Sequence, residues 1–298
     1  MNKKSSQYGK SLLIGIGLLL IGGFVLSRRS DNTEPSQGEL VAASSITHGH
    51  GLAVDVADPS KLYIATHHGL LLLKDEKDLY RVGKSRDDYM GFSPHPGDPK
   101  VFFSSGHPSF GGNIGFQKST DGGFTWKKVS NGLGGPVDFH AMAVSPVDPN
   151  IVYGWYRGDL QHSKDGGKTW EKFATPVPLV SLAADTESIH RLYAASSQGL
   201  LISNDQGKTW QTLLTGFVSV VAVHPQNAQI LLSFSEKFGL AQSKDAGTNW
   251  EKIAESFSGE TPLFISFNRR NPAIVYLLTE KNSIYKSTNS GDIWQKIR

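Results

Sequence analysis

Ser163-Lys164-Asp165-Gly166-Gly167-Lys168-Thr169-Trp170 is a sentence this chain repeats. Ser119–Trp126 reads STDGGFTW, Ser203–Trp210 reads SNDQGKTW, and Ser243–Trp250 reads SKDAGTNW, with a worn copy, STNSGDIW, at Ser287–Trp294. The closing residues Trp126, Trp170, Trp210, Trp250 and Trp294 are separated by 44, 40, 40 and 44 positions. A period of roughly 40–45 residues is that of propeller blades, each a four-stranded sheet. Each motif has local work to do. Its Asp can bond turn amides, its Gly suits a crowded or positive-φ position, and its Trp buries a large plane between blades.

Working outward, each repeat opens with an apolar strand, turns at a D-P or N-P type corner, and enters a second strand. Blade one has Leu52-Ala53-Val54, Asp58-Pro59 and Leu62-Tyr63-Ile64-Ala65; blade two has Asp98-Pro99 and Val101-Phe102-Phe103; blade three has Asp148-Pro149 and Ile151-Val152-Tyr153. Leu192-Tyr193, Ile230-Leu231-Leu232 and Ile274-Val275-Tyr276 mark blades four to six. Blade one lacks the motif: Asp75-Glu76-Lys77-Asp78 makes a shorter turn and Leu79 takes the Trp position. The expectation is an all-β, six-bladed β-propeller over residues 46–298, with no strand exchange between its two ends. One closed domain is favoured over two, because a partial ring leaves a sheet edge and an apolar face open.

Upstream, residues 1–10 are basic and polar, and 11–27 are an uncharged apolar run bracketed by Lys10 and Arg28. As a helix this run reaches about 25 Å, the short end for crossing a bilayer. A cleaved signal peptide needs a small-residue site after the run, whereas this one meets Ser27-Arg28-Arg29. An uncleaved membrane anchor with a cytoplasmic N-terminus is therefore preferred, with secretion as the alternative; both put the propeller outside the cell. Residues 28–45 read as a polar tether.

Lys3, Lys4 and Lys10 account for the net charge of +3, leaving 27 basic against 27 acidic residues. A neutral body without a basic tract argues against nucleic acid as a partner. With no cysteine in the chain, disulfides, thiolate metal sites and a lipoprotein anchor are excluded.

The repeated box resembles the BNR, or Asp-box, repeat of sialidases, the sortilin luminal domain, xyloglucan-degrading enzymes and photosystem II assembly factors. Bacterial relatives often carry a glycosylhydrolase-like name. That resemblance implies the propeller fold and a binding site on the face away from the boxes. It therefore makes Asp121, Asp165, Asp205 and Asp245, with Trp126, Trp170, Trp210, Trp250 and Trp294, structural. Sialidase chemistry does not carry over. It needs three convergent arginines on a carboxylate, and of Arg81, Arg86, Arg157, Arg191, Arg269, Arg270 and Arg298 only Arg157 falls at a site corner.

Ten histidines are present, seven of them between positions 48 and 140. Alignment on the D-P corners places His50, Met90 and His140 in one column, His48, Asp88 and Asp138 two residues earlier, and His67, His107 and Arg157 after the second strand. Both ends of that first hairpin belong to one mouth of the channel, opposite the boxes. His50, Met90 and His140, with His48, His67, His68 and His107 around them, form a candidate metal site. Imidazole and thioether without thiolate suit copper, then zinc or iron. Asp88 or Asp138 would ligate or orient a ligating ring. The same residues would alternatively serve a polar small molecule or glycan, or hydrogen-bond backbone and water with no ligand.

Two further features point to this mouth. Gly106–Asn113 is a long glycine-rich loop, and Trp155, Tyr156 and Arg157 would make a sugar-stacking rim. Two functions compete. One is an exported, membrane-tethered binding propeller for a metal, small molecule, glycan or exported protein. The other is a glycoside hydrolase with Asp88 and Asp138 as its carboxylate pair and Glu236 and Glu280 in reserve. Metal-dependent redox or hydrolytic chemistry at the histidines is a third class.

Overall fold

A computed structural model describes residues 38–254 and 256–298. The expected anchor or signal at 11–27 lies outside them. Among the described residues there is no helix, and so none long and apolar enough to cross a membrane.

The chain forms six antiparallel sheets in sequence order, which makes a six-bladed propeller. Blade one comprises β1 (Leu40–Ala42), β2 (Gly49–Val54), β3 (Lys61–Thr66), β4 (Gly69–Lys74) and β5 (Asp78–Val82). Blade two is β6 (Asp88–Pro94), β7 (Phe102–His107), β8 (Phe116–Ser119) and β9 (Lys127–Ser130); blade three is β10 (Ala141–Val144), β11 (Val152–Tyr156), β12 (Asp159–Ser163) and β13 (Glu171–Ala174). Blade four is β14 (Leu179–Ala184), β15 (Leu192–Ser196), β16 (Gly199–Ser203) and β17 (Gln211–Thr215). Blade five is β18 (Val218–Val223), β19 (Leu231–Ser235), β20 (Gly239–Ser243) and β21 (Glu251–Ala254). Blade six is β22 (Pro262–Phe267), β23 (Val275–Thr279), β24 (Ile284–Ser287) and β25 (Gln295–Lys296).

One strand departs from the sequence reading. Leu40–Ala42, inside the stretch read as a tether, pairs with β5 in the register Leu40↔Val82 and Ala42↔Tyr80. Three residues with half-exposed side chains carry almost no alternation, so their pairing comes from the free edge of β5 and not from an apolar face.

The ring closes side by side. Blade six supplies all four of its own strands, and an apolar cluster joins Leu52, Val54 and Ile64 of blade one to Tyr276 and Leu278 of blade six. Polar contacts sew the same seam. Gly49 donates its amide to Asn282 Oδ1 (2.8 Å), and Val54 donates to Ser266 Oγ (3.0 Å). The box-less turn of blade one has a use here: Glu76 accepts from Tyr276 Oη (2.8 Å) and from Lys286 Nζ.

Elsewhere the box forms the seam between neighbours. In the copy at 163–170, Asp165 Oδ1 accepts from Ser163 Oγ (2.8 Å) and the Thr169 amide (2.9 Å), and Trp170 Nε1 donates to Gly167 O (3.0 Å). Trp170 lies against Phe116 of the preceding blade and Phe139, at centroid distances of 5.2 and 5.3 Å. Gly167 has φ +84°, and a Cβ there would stand 2.0 Å from Phe116. Only glycine combines that backbone with that approach. The worn copy keeps the geometry, with Asn289 Oδ1 accepting from Ser287 Oγ (2.8 Å) and the Ile293 amide (2.9 Å).

Candidate functional site

The first strand of each blade lines a central channel of about 260 Å³. One mouth is crossed by Arg269, which donates from Nη1 to Pro96 O (2.8 Å), with Pro94, Pro146 and Pro225 also lining the channel. The opposite mouth carries His50 and His140.

Sequence makes the His50 edge tight. In His48-Gly49-His50-Gly51, a Cβ on Gly49 would lie 2.4 Å from Leu278 of blade six, and one on Gly51 would lie 2.8 Å from Phe92 of blade two. Bare glycines on both sides let neighbouring blades close on the strand while His50 projects into the mouth. His48, just before β2, sits at φ +45°. That left-handed backbone is uncommon for a non-glycine residue and clusters at functional sites.

Three imidazoles meet there. One nitrogen from each of His48, His50 and His67 lies within 4.8 Å of the other two. Their ring centroids are 4.2–4.8 Å apart. Asp88, buried at 7% exposure, takes His67 Nδ1 on Oδ2. Its Oδ1 lies 3.6 Å from His50 Nε2. That oxygen and that nitrogen are both buried without a hydrogen-bond partner. Burial, then the neighbouring His67, His48 and His140, lower the His50 pKa to about 3. His50 is therefore neutral at neutral pH and has a lone pair to offer. Burial also raises the Asp88 carboxyl above its usual range, against the pull of His67.

A second seam, between blades two and three, repeats the pairing with a different outcome. Asp138, 6% exposed, receives His107 Nε2 (2.9 Å) and His140 Nε2 (3.0 Å) on Oδ2. Burial opposes the charge on Asp138, but the hydrogen bond and charge of His140, with His107, outweigh it and lower its pKa. The bond to Asp138 raises the pKa of His140. His107 has acceptors at both nitrogens, since Nδ1 is also 3.1 Å from Gly112 O. With an acceptor at each nitrogen, His107 has no lone pair left for a metal. The seven predicted ligands thus divide: His48, His50 and His67 converge, and His107 and His140 belong to an ion-pair cluster.

The remaining predicted residues fall outside both groups. Met90 is buried in β6 and is not part of the channel wall, which Gly91 (φ +57°) and Phe92 supply; a bulge shifts the register between Met90 and Ser93. Blade two meets the imidazoles through Asp88 instead. His68 is exposed, 6.4 Å from His67 by ring centroid. Glu236 and Glu280 are exposed at the turns leaving β19 and β23, and Glu280 is tied to the Thr261 amide.

Beside the second seam a cleft of about 280 Å³ is lined by Asp138, His140, Trp155, Tyr156 and Arg157. Both aromatics are half-buried, where strict strand alternation would hide one. β11 ends at Tyr156 and Arg157 takes φ +51°, which turns the chain and frees the second ring.

The BNR/Asp-box repeat profile matches residues 161–172 and 201–212. The chain carries BNR/Asp-box repeats on a six-bladed propeller. No curated protein sequence matches it. The propeller is similar to the GH74 xyloglucanase of Xanthomonas campestris, with TM-score 0.58 and 18% identity, over 84% of this chain and 47% of that one. It therefore spans about half the length of that enzyme. YCF48 from Cyanidioschyzon merolae is similar over 87% of both chains, with TM-score 0.53 and 17% identity. YCF48 bound to D1 peptide gives TM-score 0.54 and 16% identity, over 87% of this chain and 84% of that one. At these identities the likeness is one of fold.

Proposed function

We propose that this propeller is an exported binding protein, tethered by residues 11–27, that holds a transition-metal ion at the mouth formed by His48, His50 and His67. The observation that carries this reading is the buried, unpartnered Nε2 of His50 inside a cluster of three imidazoles. A buried polar atom left unanswered costs about 1–3 kcal/mol, and a bound cation answers it. Asp88 on His67 Nδ1 reproduces the carboxylate–histidine pairing that fixes the tautomer of metal-binding rings.

The donor set bears on the metal. Copper was favoured partly by a thioether, and Met90 is not at the imidazoles. Three imidazoles with a carboxylate behind them suit zinc, which takes three protein ligands and leaves a fourth position open, and also copper(II). Zinc donors at about 2.0–2.1 Å from the ion stand roughly 3.3 Å apart, so the rings draw together on binding. When bound, the ion supplies a Lewis-acidic position facing the channel. His50, His48 and His67 hold it, and Asp88 orients His67. YCF48 bound to D1 peptide, a propeller of similar fold, supports a segment of another protein as a partner class for this one.

Metal analysis of the full chain after zinc or copper reconstitution tests the reading. It predicts about one equivalent, and background content would end it. Protease accessibility of the propeller on intact cells tests the export arm, with protection from external protease counting against it.

One observation favours a hydrolase as the second reading. Asp88 Oδ1 and Asp138 Oδ1 are both buried and unpartnered on neighbouring blades. Glycosidases work with paired carboxyls, and a xyloglucanase shares the fold. Turnover of aryl-glycosides or xyloglucan that falls in Asp88→Asn and Asp138→Asn would support it. Unchanged turnover in both, or none in the parent, would remove it.

A further inference from the structure

We propose that the cleft lined by Asp138, His140, Trp155, Tyr156 and Arg157 binds an acidic saccharide unit, a uronic acid, independently of the metal group.

The blade pattern leads to it. At the seam between blades one and two, Asp88 pairs with His67. At the seam between blades two and three, Asp138 pairs with His107. Arg157 occupies the same position after the second strand of blade three, and Pro178 stands where blade four would need its aspartate. Among the described residues Arg157 has no ion-pair partner; its guanidinium lies over the Tyr156 ring, 5.0 Å from the centroid. The guanidinium is thus a cation at the cleft with its own carboxylate partner missing from the repeat.

A second charged group shares the cleft. Asp138 is buried, its Oδ2 is occupied by two imidazoles, and its Oδ1 has no partner. An ionised carboxylate there repels a second anion and accepts hydroxyl donors. The aromatic rim of the cleft is fixed before any ligand arrives. Trp155 Nε1 donates to Thr175 Oγ1 (3.0 Å), and Asn113 Nδ2 donates to Tyr156 Oη (3.1 Å). The same Asn113 anchors the glycine-rich loop through Pro136 O (3.0 Å), and that loop raises Phe110, 94% exposed, beside this face.

A ligand for this cleft needs a carboxylate for the guanidinium, hydroxyls for Asp138, and an apolar face for the aromatic rings. A uronic acid has all three. An acidic peptide supplies the carboxylate but no ring of hydroxyls, and a neutral sugar lacks the carboxylate. The cleft volume is of the order that one or two sugar rings fill.

Calorimetric titration of the full chain with trimers of galacturonate, glucuronate and mannuronate tests this, with neutral hexose trimers and tri-glutamate as controls. Expected are binding of at least one uronate trimer, a tenfold or greater preference over its neutral counterpart, and a tenfold or greater loss in Arg157→Asn. Asparagine tolerates the left-handed backbone at that position, and a thermal melt confirms that the variant folds. Trp155→Leu provides a second, charge-neutral test with the same expected direction. Binding of no uronate overturns the proposal, as does equal binding of the neutral trimers or tri-glutamate, or affinity unchanged in Arg157→Asn. Metal content measured on the same samples keeps this result separate from that of the histidine group.

Discussion

The box turns and the histidine mouth are built on the same blades and treat polar atoms in opposite ways. In a box, Ser, Asp, Gly, Thr and Trp answer one another within eight residues, and the unpartnered Trp210 Nε1 is the exception. At the mouth, His50 Nε2, Asp88 Oδ1 and Asp138 Oδ1 are buried and unanswered. Among the described residues, the other buried unpartnered atoms belong to Arg81, Gln117, His162 and Trp210, one residue in each of blades one to four, whereas these three gather at one end. The contrast separates groups that hold the fold from groups that await a ligand.

The strongest test of the contrast breaks the scaffold side. Gly167→Ala combines a positive φ with a 2.0 Å approach to Phe116 and should cost about 3 kcal/mol. Urea titration would show it as a lower midpoint, with metal content per folded chain unchanged. Next comes the mouth: Asp88→Asn should weaken zinc roughly 10–100-fold in a chelator competition while the melt changes little. A large loss of stability with no change in zinc affinity would reverse the two roles.

Acid should then separate the regions by pH. The folded pKa of His50, about 3, lies below the ordinary 6.5, chiefly because of burial. The unfolded chain therefore binds this proton first, and its contribution to metal-free stability is full above 6.5 and is lost as pH falls toward 3. Asp165 runs on a later window. Its pKa is lowered from 3.8 to about 2, led by the Thr169 hydroxyl bond, so its contribution is lost only as pH falls through that range. Hydrogen exchange that loosened the boxes before the mouth would contradict this order. The smallest effect belongs to Phe110→Ser at the exposed loop tip, which should shift stability by less than about 0.5 kcal/mol.

Much of this was legible in the sequence. The box period and D-P corners placed six blades, because a turn that repeats must be written out each time. They also placed the column of Asp88 and Asp138 and the column of His67 and His107 at the same mouth, but not which aspartate meets which ring. Three features were hidden. The bulge after Met90 turns on the local backbone at Gly91, which spacing does not reveal, so Met90 lies buried in the blade and Asp88 is the blade-two residue that meets the imidazoles. Leu40–Ala42 joins blade one by edge pairing alone, and Glu76 serves a partner 200 or more positions away. The opposite shifts of His50, lowered chiefly by burial, and His140, raised by its bond to Asp138, arise from tertiary surroundings that no single-residue pattern records.

The central claim is that the histidine mouth holds a metal and the boxes do not depend on it. Zinc content of the full chain after reconstitution and desalting, measured beside a His50→Asn/His67→Asn double variant, tests it most directly. The account predicts about one zinc per parent chain and background in the double variant, with similar metal-free melting curves. Background zinc in the parent, or equal zinc in both, would contradict it.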